Sequence, residues 1–391
     1  MTLDTRGARR SPRSSVLRIA ALALATGTAL ALSACGSSAS DGGSGSGSLR
    51  VVATTTQLAD FSARVGGDDI DLTGLLPAGG SAHHFDPSPA DLLALGQADV
   101  LVVNGAGLET FIDDAINASG FDGEIVTASD GIDLAAAKEI TAEGEAGSDG
   151  HSEEHDHADH GTDDHGAEDH GAEDHDHEAE GHGAEEHAAS GEAHDHDHDH
   201  GDVNPHIWTS PKNAEGMVAE IASGFERADP DRADAYAERA EAYTAELTDL
   251  DAWVAAQFER VPAADRVLVS GHDSLRYYLH DYGIDFAGAL LPSFEDNAEP
   301  SAADIDALVH EIRESGAKAV FVESSMSPKL ARTVAAEAGV EVVDAEALYA
   351  DSLGAPGSGA DTYIDATVHN TRTILEAWGA EPQALPASLQ Q

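Results

Sequence analysis

The chain has 391 residues, a formal net charge of −53 and one cysteine. So acidic a protein is a poor partner for nucleic acid and attracts cations instead. A single cysteine excludes an internal disulfide framework, and the length supports two lobes of ordinary domain size.

In chain order, Arg6, Arg9, Arg10, Arg13 and Arg18 lead into the apolar run "IAALALATGTALAL", which "LSAC" (32–35) follows. A basic stretch before a short apolar run predicts a signal segment over 1–34 rather than a membrane span. "LSAC" resembles a lipobox, in which the cysteine is lipid-modified and becomes the new N-terminus, here Cys35. Removing residues 1–34, which hold five Arg and Asp4, leaves a net charge of −57. Residues 35–48, rich in Gly and Ser, predict a flexible tether between a membrane anchor and a globular body.

From residue 49 strand-like and helix-like stretches alternate. "LRVVATTT" reads as a buried strand and "SPADLLALGQA" (88–98) as a helix with Ser88 as N-cap and Pro89 in its first turn. "DVLVVNGAG", "LETFIDDAINASG" and "EIVTAS" follow as strand, helix and strand. Such alternation predicts a parallel sheet covered by helices, an α/β lobe over 49–228. Residues 143–202 interrupt it. The stretch 151–200 holds fourteen of the 21 His and nineteen Asp or Glu, with no Lys, Arg, Leu, Ile, Val, Phe, Trp or Tyr. Nothing in it can offset the entropy of ordering, so it is expected to be a disordered loop insertion without metal.

Residues 229–260 predict one long helix, bounded by Pro230 and Pro262. Tyr236, Ala240, Tyr243, Leu247, Leu250, Val254 and Phe258 draw a single apolar stripe along it. Alternation then resumes over 261–391 through "RVLVSGH", "DSLRYYLHDYG", "ADIDALVHEIRESG", "KAVFVES", "SPKLARTVAAEAG", "VEVVDA" and a closing helix, "DTYIDATVHNTRTILEAWG". The expected fold class is α/β: two α/β lobes with one long helix between them.

Outside the insertion seven His remain: 83, 84, 206, 272, 280, 310 and 369. His83, His206 and His272 fall in loops beside Gly or Pro, where ligands collect at the carboxyl ends of strands. Three imidazoles gathered there suit a borderline-soft divalent metal, and a fourth ligand would close the site. His280, His310 and His369 lie within helices and read as surface or core residues.

Together, "GGSAHHFDPSPADLLAL", "NPHIWTSPKNA", "SGHDSLRYYLHDYGI" and "LYADSLGAPGSGADTYIDATVHN" resemble the zinc/manganese-specific substrate-binding lipoproteins of bacterial ABC transporters. The match runs in order over nearly the whole mature chain apart from the insertion. The resemblance implies two α/β lobes joined by one long rigid helix, with the metal in the cleft between them. It places the ligands at His83, in register with Phe85 and Pro87, at His206, at His272 and at Asp351. His84 beside His83, and Glu323 as a second carboxylate, are the competing positions. Asn204 stands where the family usually has Asp, and Ala82 where it usually has Pro.

Three imidazoles and one carboxylate suit tetrahedral Zn2+ better than Mn2+, which favours more oxygen ligands. The family's manganese members tend to carry a carboxylate at the third position, where this chain has His272. The resemblance thus implies an extracytoplasmic, monomeric, lipid-anchored protein that captures Zn2+ and delivers it to an ABC permease. In that reading His206 belongs to a built site, while His194, His196, His198 and His200 form weaker tethered sites that raise local metal concentration. The competing classes are a zinc store, in which the insertion is the function, and a zinc hydrolase. Against the hydrolase stand the filled fourth position and the absence of an H-E-x-x-H segment.

Overall fold

A computed structural model describes residues 47–81, 83–148, 203–291 and 299–390. The expected signal segment, Cys35, nearly all of the tether and the acidic His-rich stretch from 149 to 202 lie outside these residues. Among the described residues no helix is long and apolar enough to cross a membrane.

The N-terminal lobe is built on four parallel strands, β1 (Leu49–Ala53), β2 (Ile70–Gly74), β3 (Val100–Val103) and β4 (Glu124–Thr127), in the order β2-β1-β3-β4. β1 and β3 are central and almost wholly buried, as a sheet covered on both faces requires. The covering helices include α1 (Thr56–Gly66), α2 (Pro89–Leu95) and α3 (Ile112–Ser119). Ser88 caps α2 as its sequence predicts: its hydroxyl accepts from the Asp91 amide while the Asp91 carboxylate accepts from the Ser88 amide. Next, α4 (Leu134–Ser148) runs six residues into the stretch that composition assigned to the insertion. Glu143, Glu145 and Ala146 favour helix there, against Gly144 and Gly147. The chain reappears at Val203, and α5 (Pro211–Ala228) packs back onto α1 and β4.

The connecting helix is α6 (Ala233–Phe258), 26 residues long and hence about 39 Å. Pro230–Arg232 form a 3-10 turn ahead of it, so regular helix starts later than residue 229. Every residue of the predicted stripe is buried. Its first half is held to the N-terminal lobe, where Arg239 Nε donates to Val65 O (2.6 Å) and Tyr243 OH to Asp60 Oδ2 (3.3 Å). Its second half accepts from the C-terminal lobe, Tyr282 OH donating to Asp251 Oδ1 at 3.0 Å.

The C-terminal lobe carries two parallel pairs, β5 (Val267–Ser270) with β6 (Asp285–Ala289) and β7 (Ala319–Glu323) with β8 (Glu341–Leu348). β5 lies alongside β7. Helices α7 (Arg276–Asp281), α8 (Ala302–Ser315), α9 (Lys329–Ala338) and α10 (Tyr363–Ala377) complete it. One hydrophobic cluster runs unbroken from Leu49 and Phe61 through Tyr243, Leu247 and Phe258 to Tyr363 and Trp378. The two lobes therefore share a core, and what lies between them is packed rather than hinged.

Candidate metal centre

His272 and Asp351 sit just past strands, and His83 and His206 lie in longer loops. His83 lies in the loop that follows β2, its amide donating to Ser81 Oγ at 3.2 Å. His206 precedes a 3-10 turn, Ile207–Thr209, whose Ile207 and Trp208 are buried and anchor it. His272 follows β5 by two residues. Its neighbour must be Gly271, because a Cβ there would stand 2.3 Å from Met326 Sδ and 2.9 Å from Glu323 Oε1. Asp351 follows β8 in a loop tied to the other lobe. Gln57 Nε2 and Trp208 Nε1 both donate to Ala350 O, at 3.0 and 2.9 Å, and the Leu353 amide donates to Thr56 Oγ1 at 2.8 Å.

These loops bring four side chains together. One ligand atom from each of His83, His206, His272 and Asp351 lies within 4.8 Å of all the others. His206 Nε2 is 3.0 Å from His83 Nε2 and 3.2 Å from His272 Nε2. Asp351 Oδ1 is 3.3 Å from His206 Nε2 and 3.2 Å from His272 Nε2. A tetrahedral zinc with bonds of 2.0–2.1 Å sets its donor atoms about 3.3–3.4 Å apart, so the cluster already has nearly the spacing of a coordination shell. His206, His272 and Asp351 are each fully buried. Asp351 Oδ1 accepts no hydrogen bond, although two imidazoles face it. A buried carboxylate oxygen without a donor is costly in a protein core and is relieved by a cation.

The next layer fixes these groups. Asn204 is buried, and its Oδ1 accepts from the His206 amide (3.1 Å) and faces His206 Nδ1 at 2.7 Å. Its Nδ2 donates to Asp273 O at 2.6 Å. An amide proton must face a carbonyl, so the orientation of Asn204 is settled by its partners. Nδ1 of His206 then carries the proton and Nε2 keeps its lone pair for the cluster. Asn104 Nδ2 steadies the same segment by donating to Pro205 O at 3.0 Å. Behind His272, Glu323 Oε1 accepts from the His272 amide (3.0 Å), and Oε2 lies 2.9 Å from His272 Nδ1 and accepts from Ser274 Oγ at 2.9 Å.

Electrostatics divide the two buried imidazoles. Burial dominates at His206 and pushes its pKa below 6.5. Burial acts the same way on His272, but the Glu323 and Asp351 carboxylates outweigh it and hold the pKa well above 6.5. Asp351 would be raised by burial, yet the facing His272 and His206 hold it well below the usual carboxylate range.

The competing positions lie elsewhere. His84 is exposed, and Glu323 backs His272 rather than joining the four. Nε2 of His369 lies 3.2 Å from Ala347 O, away from the cluster. His280 and His310 have side chains 47% and 67% exposed, as expected of surface residues. The sequence marks Asn204 as a change in the hydrogen bonding behind His206, but it shows neither the donation of Asn204 to Asp273 O nor the contact of Ser325 Oγ, which donates to Asp351 Oδ2 at 3.0 Å.

Comparison with known proteins places this geometry. The family model for ZnuA, the periplasmic component A of a zinc-uptake complex, matches residues 51–377. The manganese-binding lipoprotein MntA of Halalkalibacterium halodurans is 28% identical over 327 residues, covering 84% of this chain and 87% of that one. The manganese ABC transporter substrate-binding lipoprotein PsaA of Streptococcus pneumoniae is 24% identical over 334 residues, covering 84% and 88%. Among solved structures, the periplasmic zinc binding protein TroA from Treponema pallidum aligns with a TM-score of 0.64 at 23% identity, covering 85% of this chain and 99% of that one. At that identity the likeness concerns the fold alone, two α/β lobes.

Proposed function

The chain belongs to the ZnuA family of periplasmic metal-uptake components, and from that premise we propose that it captures Zn2+ between its lobes and hands it to an ABC permease. Membership makes it a metal-binding, substrate-binding component of an ABC transporter rather than an enzyme. Such components work outside the cytoplasm, held at the membrane, and the relatives are named as lipoproteins. In this reading Cys35 carries the lipid, and His83, His206, His272 and Asp351 hold the ion.

The observation that carries the zinc reading is the donor set. Three imidazole nitrogens and one carboxylate oxygen lie within 4.8 Å of one another, four of their separations between 3.0 and 3.3 Å, and zinc takes four donors of these kinds. Manganese is suited by oxygen ligands, and the nearby carboxylate that would supply more oxygen, Glu323, is engaged by the His272 amide and Ser274. The second reading is manganese capture at the same four residues, favoured by the relatives MntA and PsaA, which are manganese-binding lipoproteins by name.

Capture needs little motion. The lobes share a core, so binding needs only to seat the cation beside Asp351 Oδ1, which accepts no hydrogen bond. The test is a competition titration of the full-length protein, with a chromophoric chelator strong enough to strip weak sites. One tight zinc equivalent is expected, held more tightly than manganese, and His206→Ala with His272→Ala should abolish it. Tight zinc uptake that survives both substitutions would refute the assignment, and preference for manganese would favour the second reading.

A further inference from the structure

We propose that Ser325 sets the metal preference of this centre by holding Asp351 to ligation through a single oxygen. The inference rests on the four-residue site just described. Asp351 presents its two oxygens differently. Oδ1 faces His206 Nε2 and His272 Nε2 at 3.3 and 3.2 Å and accepts no hydrogen bond. Oδ2 instead accepts from Ser325 Oγ at 3.0 Å. Ser325 sits two residues beyond the end of β7, on the turn after Glu323, so one short segment backs two of the four candidate ligands.

The carboxylate cannot change its denticity by sliding. Its loop is fixed on both sides, Ala350 O by Gln57 and Trp208 and the Leu353 amide by Thr56. The remaining freedom is rotation of the carboxyl group, and that rotation takes Oδ2 away from the Ser325 hydroxyl. A hydrogen bond to an ionised group is among the stronger ones. An ion content with four donors asks for no rotation. An ion that seeks more oxygen must turn Oδ2 toward itself against this bond, or recruit water into a centre where His206, His272 and Asp351 are all buried. Zinc belongs to the first class and manganese to the second. Ser325 therefore acts as a specificity-determining residue that touches the ion only through Asp351.

The test compares Zn2+ and Mn2+ affinities of the full-length wild type, Ser325→Ala and Ser325→Thr by chelator competition. Thermal melts of each metal-free protein check folding. Ser325→Ala should raise the manganese-to-zinc affinity ratio about tenfold, which corresponds to about 1.4 kcal/mol. X-ray absorption of its manganese form should show one more oxygen neighbour than the manganese form of the wild type. Ser325→Thr keeps the hydroxyl and should behave as wild type. An unchanged ratio in Ser325→Ala would overturn the proposal, as would equal loss of both metals or a threonine variant that behaves like alanine. The wild-type titration separates this outcome from failure of the site itself. If the wild type holds no tight ion that depends on His206 and His272, the four-residue assignment falls and the role of Ser325 falls with it.

Discussion

Asn204 shows what a single side chain contributes to such a centre. It accepts from His206 and donates to Asp273 O, so it joins two ligand-bearing segments 69 residues apart in sequence. A carboxylate can do only the first, and Asn204→Asp would set two oxygens against each other where the amide now donates at 2.6 Å. The loss of one buried hydrogen bond and the added repulsion together should cost about 1–3 kcal/mol. Zinc dissociation into excess chelator, followed by stopped flow, is expected to accelerate about tenfold or more; an unchanged rate would show that the bracket is idle. His272 supplies the pH dependence. Its pKa is raised, so zinc binding at the proposed centre should release a proton. Affinity should therefore weaken as pH falls, beginning above 6.5 rather than at the free imidazole value. Calorimetry near pH 7 in buffers of different ionisation enthalpy should detect proton release on binding, and Glu323→Gln should move the onset to lower pH. In the metal-free fold the same raised value has the opposite sense. It stabilises below the unfolded pKa near 6.5, and that contribution is lost as pH rises through the folded value.

At the scale of elements, α6 makes the lobes one body. Its stripe of Tyr236, Tyr243, Leu247, Leu250 and Phe258 is buried along the whole helix. Leu247→Ala should destabilise the protein by about 2–5 kcal/mol in urea melts, and a cost under 1 kcal/mol would show that this face is not core. That helix was plain in the sequence because a period near 3.6 persisted between two prolines. The strands β1 and β3 were equally plain, being short apolar runs buried on both faces. Two edge strands were not: β2 (IDLTG) and β6 (DFAGA) are half-exposed and broken by Asp and Gly, so their pairing comes from the neighbouring strand. The signal for α5 was present, with Ser210 capping, Pro211 in the first turn and Ala214, Met217, Val218, Ile221 and Phe225 on one face, yet motif reading around His206 passed over it. Of the centre, the three His and Asp351 were legible because each stands in a short characteristic segment. Asn204, Ser325 and Gly271 gain their roles only where distant loops meet, which no local pattern records.

For the whole molecule, a shared core and a stiff connection mean that loading should change shape very little. Solution scattering of metal-free and zinc-loaded protein is expected to give radii of gyration that agree closely, whereas wide hinge closure would shorten the loaded form and contradict a packed interface. Loading should nonetheless stabilise, by about 4 kcal/mol when free zinc is a thousand times the dissociation constant. The strongly negative net charge of −53 favours cation encounter, so association should slow as salt is added. All of this depends on one ion seated between the lobes. The most direct measurement is a crystal structure of the zinc-loaded protein with anomalous scattering collected at the zinc edge. The expected result is a single strong peak within about 2.0–2.1 Å of Nε2 of His83, His206 and His272 and of Asp351 Oδ1. A peak bound elsewhere, or one that leaves any of the three imidazoles unengaged, would contradict the account.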